Sequence, residues 1–162
     1  MTDGTIEAAA PEGLDEPAAP ARRASLPLAA LAGIGAALVG AVGWAVFSYA
    51  TEYELGLIAV AIGALVGFAV RKAGNGDTAN FAILGAACAA FGCLLGIVLC
   101  DVAFLAKATA QPFFATLSQL GVGGSVSLAV EAGDAMELLF VAIAIWEGFK
   151  FSIHPEQPDA AE

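Results

Sequence analysis

The side chains best suited to chemistry in this sequence are carboxylates. Glu131, Asp134 and Glu137 follow one another at intervals of three, a spacing that keeps side chains along one slowly spiralling side of a helix. Asp101 closes an apolar run that begins at Thr78, and Glu54 opens another. All five acids are expected near one end of a set of helices. Acids gathered in this way can attract cations or relay protons. A quieter role competes with that one. An acid at a helix N-terminus complements the dipole and accepts free backbone N–H groups, and Glu54 and Asp134 both precede expected helices. None of the five sits in the middle of an apolar run, which favours capping over ion chemistry.

Other reactive chemistry is poorly provided for. The single histidine, His154, lies close to the C-terminus. Bis-histidine haem ligation, HExxH metal chemistry and a Ser–His dyad all need histidine inside a fold. The stretch Glu131-Ala132-Gly133-Asp134 lacks the first glycine of the Gly-x-Gly-Asp pattern of intramembrane aspartyl proteases. Cys88, Cys93 and Cys100 form no CxxC pair, the spacing that metal sites prefer. Small, apolar, buried side chains are the ordinary state of such cysteines. The reading is of no catalytic residues, no metal and no cofactor, and an enzyme is not expected.

The elements that must carry these residues are set by hydropathy. The chain has 162 residues, of which 59% are hydrophobic and only 14% charged, and its mean hydropathy is +0.82. An ordinary soluble domain carries about a quarter charged residues. The charges here also cluster, leaving neutral runs of 28 residues at 24–51 and 23 residues at 78–100. Each exceeds the ~20 residues a helix needs to cross a bilayer. Pro27 suits the first turn of the first helix, and Trp44, Phe47 and Tyr49 near its far end suit an interfacial aromatic belt. Between the two runs, Leu55 to Val70 is neutral and ends at Arg71 and Lys72, whose side chains can snorkel to an interface.

The last third is less regular. Nine uncharged residues, Leu138 to Trp146, lie between Glu137 and Glu147. A helix over 134–152 is expected to complete the crossing, with Glu147 and Lys150 paired at a spacing of three. Before it, 108–130 is neutral but broken by Pro112, Gly121, Gly123 and Gly124. Phe113, Phe114, Leu117 and Leu120 share a helical face, which suits an interfacial helix; a re-entrant segment or a fifth crossing is the alternative. The expected architecture is therefore all-α: a polytopic membrane bundle of about four helices over 26–49, 54–72, 78–101 and 134–152, with an interfacial helix before the last.

Small residues recur every fourth place in three of these helices. The rows are Ala29, Gly33, Ala37 and Ala41; Ala59, Gly63 and Gly67; and Cys88, Gly92, Gly96 and Cys100. Such rows let backbones approach closely, which is how helices associate in lipid. Whether they meet within one chain or between copies is open at this point.

Orientation follows from the cations. With four crossings and the N-terminus inside, Arg22, Arg23, Arg71, Lys72 and Lys150 are cytoplasmic and only Lys107 is outside. That is the positive-inside pattern. It leaves Glu52, Glu54, Asp101, Glu131, Asp134 and Glu137 on the outer side. Residues 1–25 and 154–162, rich in Ala, Pro and acid, read as disordered cytoplasmic tails. The first apolar run is too long for a 7–15-residue signal core and reads as a retained anchor.

Tyr53-Glu54-Leu55-Gly56, running on through AVAIGALVGFAVRKAGNG, and the closing stretch Glu137 to Ala144 resemble a pattern in small polytopic bacterial membrane proteins. The resemblance implies an α-helical bundle of about four spans and no particular activity, and the chain as a whole reads as an integral protein of a bacterial inner membrane with both termini cytoplasmic. The expected function is a non-enzymatic structural or accessory membrane component. A small channel or transporter subunit using the outer carboxylates is the alternative. The expected partners are the lipid bilayer and other membrane proteins or further copies of the chain, with no nucleic acid.

Overall fold

A computed structural model describes residues 24–53, 55–76 and 78–153. Glu54, His154, Arg22, Arg23 and most of both acidic tails lie outside the described residues. The described residues form five helices and no strand: α1 (Leu26–Thr51), α2 (Leu57–Gly74), α3 (Ala79–Ala108), α4 (Phe113–Ala132) and α5 (Ala135–Phe151). The fold is an all-α bundle, and α1 to α4 are each long and apolar enough to cross a membrane. By length and composition the chain is a multi-pass membrane protein.

Local chemistry fixes the helix ends. Pro27 occupies the first turn of α1, where its missing N–H leaves no bond unmade. At the other end Glu52 turns left-handed at φ 62°, and its N–H donates to the Ser48 carbonyl. Asn75 closes α2 in the same conformation, over a last turn carrying Arg71 and Lys72, where cations suit the dipole. The start of α1 is tied to the end of α2 by the Ser25 N–H, which donates to the Gly74 carbonyl at 2.9 Å.

Helix directions follow from which residues meet. Gly33 lies against Cys88, Ala37 against Gly92 and Trp44 against Gly96, so α1 and α3 run parallel. Gly33 also meets Val70, and Gly40 meets Ile62, so α2 runs opposite to α1. Gly56 faces Phe140, Gly63 faces Ala144 and Gly67 faces Phe151, which makes α5 parallel to α2 and antiparallel to α3. The four helices α1, α2, α3 and α5 therefore alternate up and down, and α5 fills a slot against both α2 and α3. Its 17 residues rise ~26 Å, just short of a hydrocarbon core.

The small-residue rows meet one another within the chain. A methyl group built on Gly33 would stand 2.8 Å from Val70, and one on Gly92 would stand 3.0 Å from Ala37. Ala29, Gly33, Ala37 and Ala41 are all buried, as are Ala59, Gly63, Gly67, Cys88, Gly92, Gly96 and Cys100. The Cys93 thiol reaches the Ala59 carbonyl at 3.7 Å, and the Cys100 thiol reaches the Ser48 hydroxyl at 3.5 Å. The structure adds a further row on α5. Ala144, Gly148 and Ser152 are buried at the same spacing of four, against Gly63, Gly67 and Gly85.

Four expectations need correction. Trp44 is not an interfacial aromatic: it is 1% exposed, in the core against Gly96. Position 44 continues the inward row of α1, about one turn beyond Ala41 and two beyond Ala37. Asp101 does not end the third helix, since α3 continues through Val102, Ala103, Phe104 and Leu105 to Ala108. Glu131, Asp134 and Glu137 do not share one helix, because the backbone is extended at Gly133 and Asp134 and splits α4 from α5. Finally, Glu147 and Lys150 do not pair; Lys150 lies over the Phe151 ring instead.

Helix α4 stands apart. It packs on α3 alone, and only Thr116 and Ser125 are buried. Thr116 borders a cavity with Leu105 and Thr109, while Ala132 at the other end borders one with Asp101. At their nearest these α3 positions are about one turn apart, ~6 Å, whereas a straight 20-residue helix would run ~30 Å. The difference is absorbed at Gly121, whose φ of 61° and ψ of −177° break the helix. A residue with a side chain is strained at that φ. So both ends of α4 lie against the same end of α3, with the bend at Gly121 between them.

Candidate functional site

At the end of the bundle where α5 begins, three carboxylates surround one cleft. Asp134 is the N-cap of α5, and its side chain accepts from the Glu137 N–H at 2.8 Å. Glu137 stands in the first turn, where an acid complements the helix dipole. Asp101 comes from α3 alongside, and the cleft of about 240 Å³ is lined by Gly56, Asp101, Ala132, Asp134, Met136, Glu137 and Phe140. Gly56 matters sterically, since the Phe140 ring occupies the place its side chain would take.

Electrostatics make this corner costly. The Oδ2 atom of Asp101 is buried and has no hydrogen-bond partner among the described residues. A buried acceptor left unpaired typically costs ~1–3 kcal/mol, and here Asp134 and Glu137 add like charge. Among the described residues no three acidic, histidine or cysteine side chains stand close enough to hold a metal ion. The chemistry gathered at this corner is that of carboxylates alone, with no histidine, cysteine, serine or lysine among the lining residues.

Of the five candidate acids, the structure brings Asp101, Asp134 and Glu137 together. Glu131 is exposed in the last turn of α4 and does not line the cleft, and Glu54 lies outside the described residues. Asp134 alone is seen in the capping role. The Asp-x-x-Glu spacing signals that Asp134 and Glu137 lie together at a helix start, but carries no signal for Asp101.

A second polar feature marks the same end. Lys107 forms an ion pair with Glu52, its Nζ also lies 3.5 Å from the Tyr49 carbonyl oxygen, and it sits 5.2 Å from the Tyr49 ring centre. The pair ties the last turn of α3 to the end of α1. The hydrogen bond from Lys107, and then its charge, hold the Glu52 carboxyl below the usual carboxylate range. The sign follows. With a folded value lower than the unfolded one, the pair stabilises above the ordinary value of 4.5 and that contribution is lost as pH falls through the folded value. Glu52→Gln should therefore lower stability slightly at pH 7, by an amount that shrinks in high salt and vanishes in acid. A deficit insensitive to both would mean that the carboxylate charge contributes nothing. Comparison with known protein families, with curated proteins and with solved structures found no match for this chain.

Proposed function

We propose that this protein is a non-enzymatic membrane component of a bacterial inner membrane that attaches to other membrane proteins through α4. The supporting observation is the contrast in packing. The other four helices close on one another through small residues, while α4 buries only Thr116 and Ser125. Val122 is 84% exposed and Val130 76%. Nothing lies within 4 Å of where side chains at Gly121 and Gly123 would stand, so another helix could approach the backbone there. A photo-crosslinking residue at Val122 should give a discrete adduct in membranes, and one at Leu31, 71% exposed on α1, should give none. Adducts at both sites or at neither would overturn the reading.

In this proposal both chain termini face the cytoplasm and α4 lies on the outer side, because Arg71, Lys72 and Lys150 share one end of the four-helix bundle and Lys107 lies at the other. Reporter fusions after Lys72 and after Glu162 should score as cytoplasmic, and one after Lys107 as external. A C-terminal fusion scoring as external would reject the topology.

One observation favours a second reading, a small cation or proton carrier: Asp101, Asp134 and Glu137 surround one cleft and the Asp101 Oδ2 is unpaired among the described residues. Proteoliposomes under an ion or pH gradient separate the two. The leading proposal expects no flux; flux that Asp101→Asn abolishes would replace it with the carrier.

A further inference from the structure

At the end of the bundle opposite the acid cleft, α2 and α5 finish together with three cations on their last turns: Arg71, Lys72 and Lys150. Among the described residues no carboxylate pairs with any of them, and the ion pair Lys107–Glu52 lies at the other end. Two of the three are held in place by aromatic rings. Phe68 of α2 and Phe151 of α5 stack with centres 4.8 Å apart and planes 16° from parallel. The Arg71 guanidinium lies 5.3 Å from the centre of the first ring and the Lys150 ammonium 5.8 Å from the centre of the second. Cations from two helices thus sit on one joined aromatic platform, which keeps them against apolar surface without satisfying their N–H donors.

Neighbouring residues indicate which anion fits. Trp146 and Phe149 of α5 stack at 6.4 Å, and Trp146 is 62% exposed, as an indole at the headgroup level is. A shallow apolar groove of about 280 Å³ runs between α3 and α5, lined by Ala86, Ala142, Ile145, Trp146 and Phe149. Its rim at Phe149 is one residue from Lys150. A free phosphate would use the cations and leave the groove empty. A phospholipid would use both.

We propose that this end of the bundle binds an anionic phospholipid, its phosphate on Arg71, Lys72 and Lys150 and an acyl chain along the α3–α5 groove. Basic pockets between membrane helices hold acidic headgroups in this manner. The full chain in a neutral detergent, titrated separately with phosphatidylglycerol, phosphatidylcholine and inorganic phosphate, tests it by thermal midpoint and tryptophan emission. Phosphatidylglycerol should raise the midpoint and shift the emission; phosphatidylcholine and phosphate should do neither. R71Q/K150Q should weaken the phosphatidylglycerol response about thirtyfold, from the charge contribution of two cations near a membrane surface. R71K/K150R, which keeps both charges, should retain most of it, and K107Q, at the far end, all of it. An equal response to phosphatidylcholine, a response to phosphate alone, or an R71Q/K150Q response matching the natural chain would overturn the proposal.

Discussion

Gly63→Ala is expected to destabilise the bundle by about 2 kcal/mol or more, the middle of the overpacking range, although the same change in a helix usually helps. Glycine inside a helix is ~1 kcal/mol less favourable than alanine, so the intrinsic effect of the substitution is a gain. At Gly63 a methyl group would fall on the Ala144 carbonyl oxygen, with the Ala144 carbon and Cα both at 2.7 Å. That neighbour is backbone and cannot rotate away. Relief comes only by moving α5 off α2, and overpacking of a close contact costs ~1–3 kcal/mol, sometimes more. Gly43→Ala and Gly35→Ala are the controls, since nothing lies within 4 Å of either, and both should be neutral or slightly stabilising. Unfolding in mixed micelles, followed by helical circular dichroism, reads all three. Equal behaviour of Gly63→Ala and Gly43→Ala would show that α2 and α5 are not in contact at this point.

Gly63 was visible in the sequence because its row, Ala59 to Gly67, lies in an uninterrupted neutral stretch. The row it meets, Ala144, Gly148 and Ser152, was not, although its spacing is identical. Glu147 and Lys150 lie within it, and hydropathy reads charge before it reads size. The small residues form the buried stripe of α5, while Glu147 is half-buried and Lys150 is exposed. The same bias placed the end of the third helix at Asp101. A charge in an apolar run marks a change of environment, not of backbone conformation, and the good helix formers after it carry α3 on to Ala108.

The acid cleft was legible in its parts and not in its assembly. Asp134 and Glu137 have the spacing of a capping box, and the structure contains its first half, the Glu137 N–H donating to the Asp134 carboxylate. The spacing of Glu131, Asp134 and Glu137 also fits one helix face, and sequence periodicity cannot tell these apart. Gly133 decides between them by taking an extended conformation, at ψ 138°. That turns α5 back along α3 and brings Glu137 to Asp101, residues whose proximity no local pattern records. Nor does any pattern record that Gly56 makes room for Phe140 at the edge of the same cleft.

Trp44→Ala is expected to be the most damaging single truncation in α1, costing about 3–5 kcal/mol, the usual range for deleting a buried aromatic side chain. An interfacial tryptophan would lose far less. Trp44 is 1% exposed, the largest of the fully buried side chains, and its ring rests on Gly96. Its indole Nε1 has no hydrogen-bond partner among the described residues. Trp44→Phe should therefore be much milder, because removing an unpaired buried donor recovers ~1–3 kcal/mol and offsets part of the lost packing. The contact with Gly96 supplies the stricter test. A methyl group on Gly96 would stand 2.6 Å from the Trp44 Cε3 atom, so Gly96→Ala alone should destabilise. In a Trp44→Ala background the same methyl enters the vacated space, and Gly96→Ala should then be neutral or favourable through its helix propensity. The two changes should be coupled by more than about 1 kcal/mol, since residues in direct contact are not additive. If Gly96→Ala costs the same in both backgrounds, Trp44 does not rest on Gly96, and its place at the centre of the α1–α3 interface is wrong.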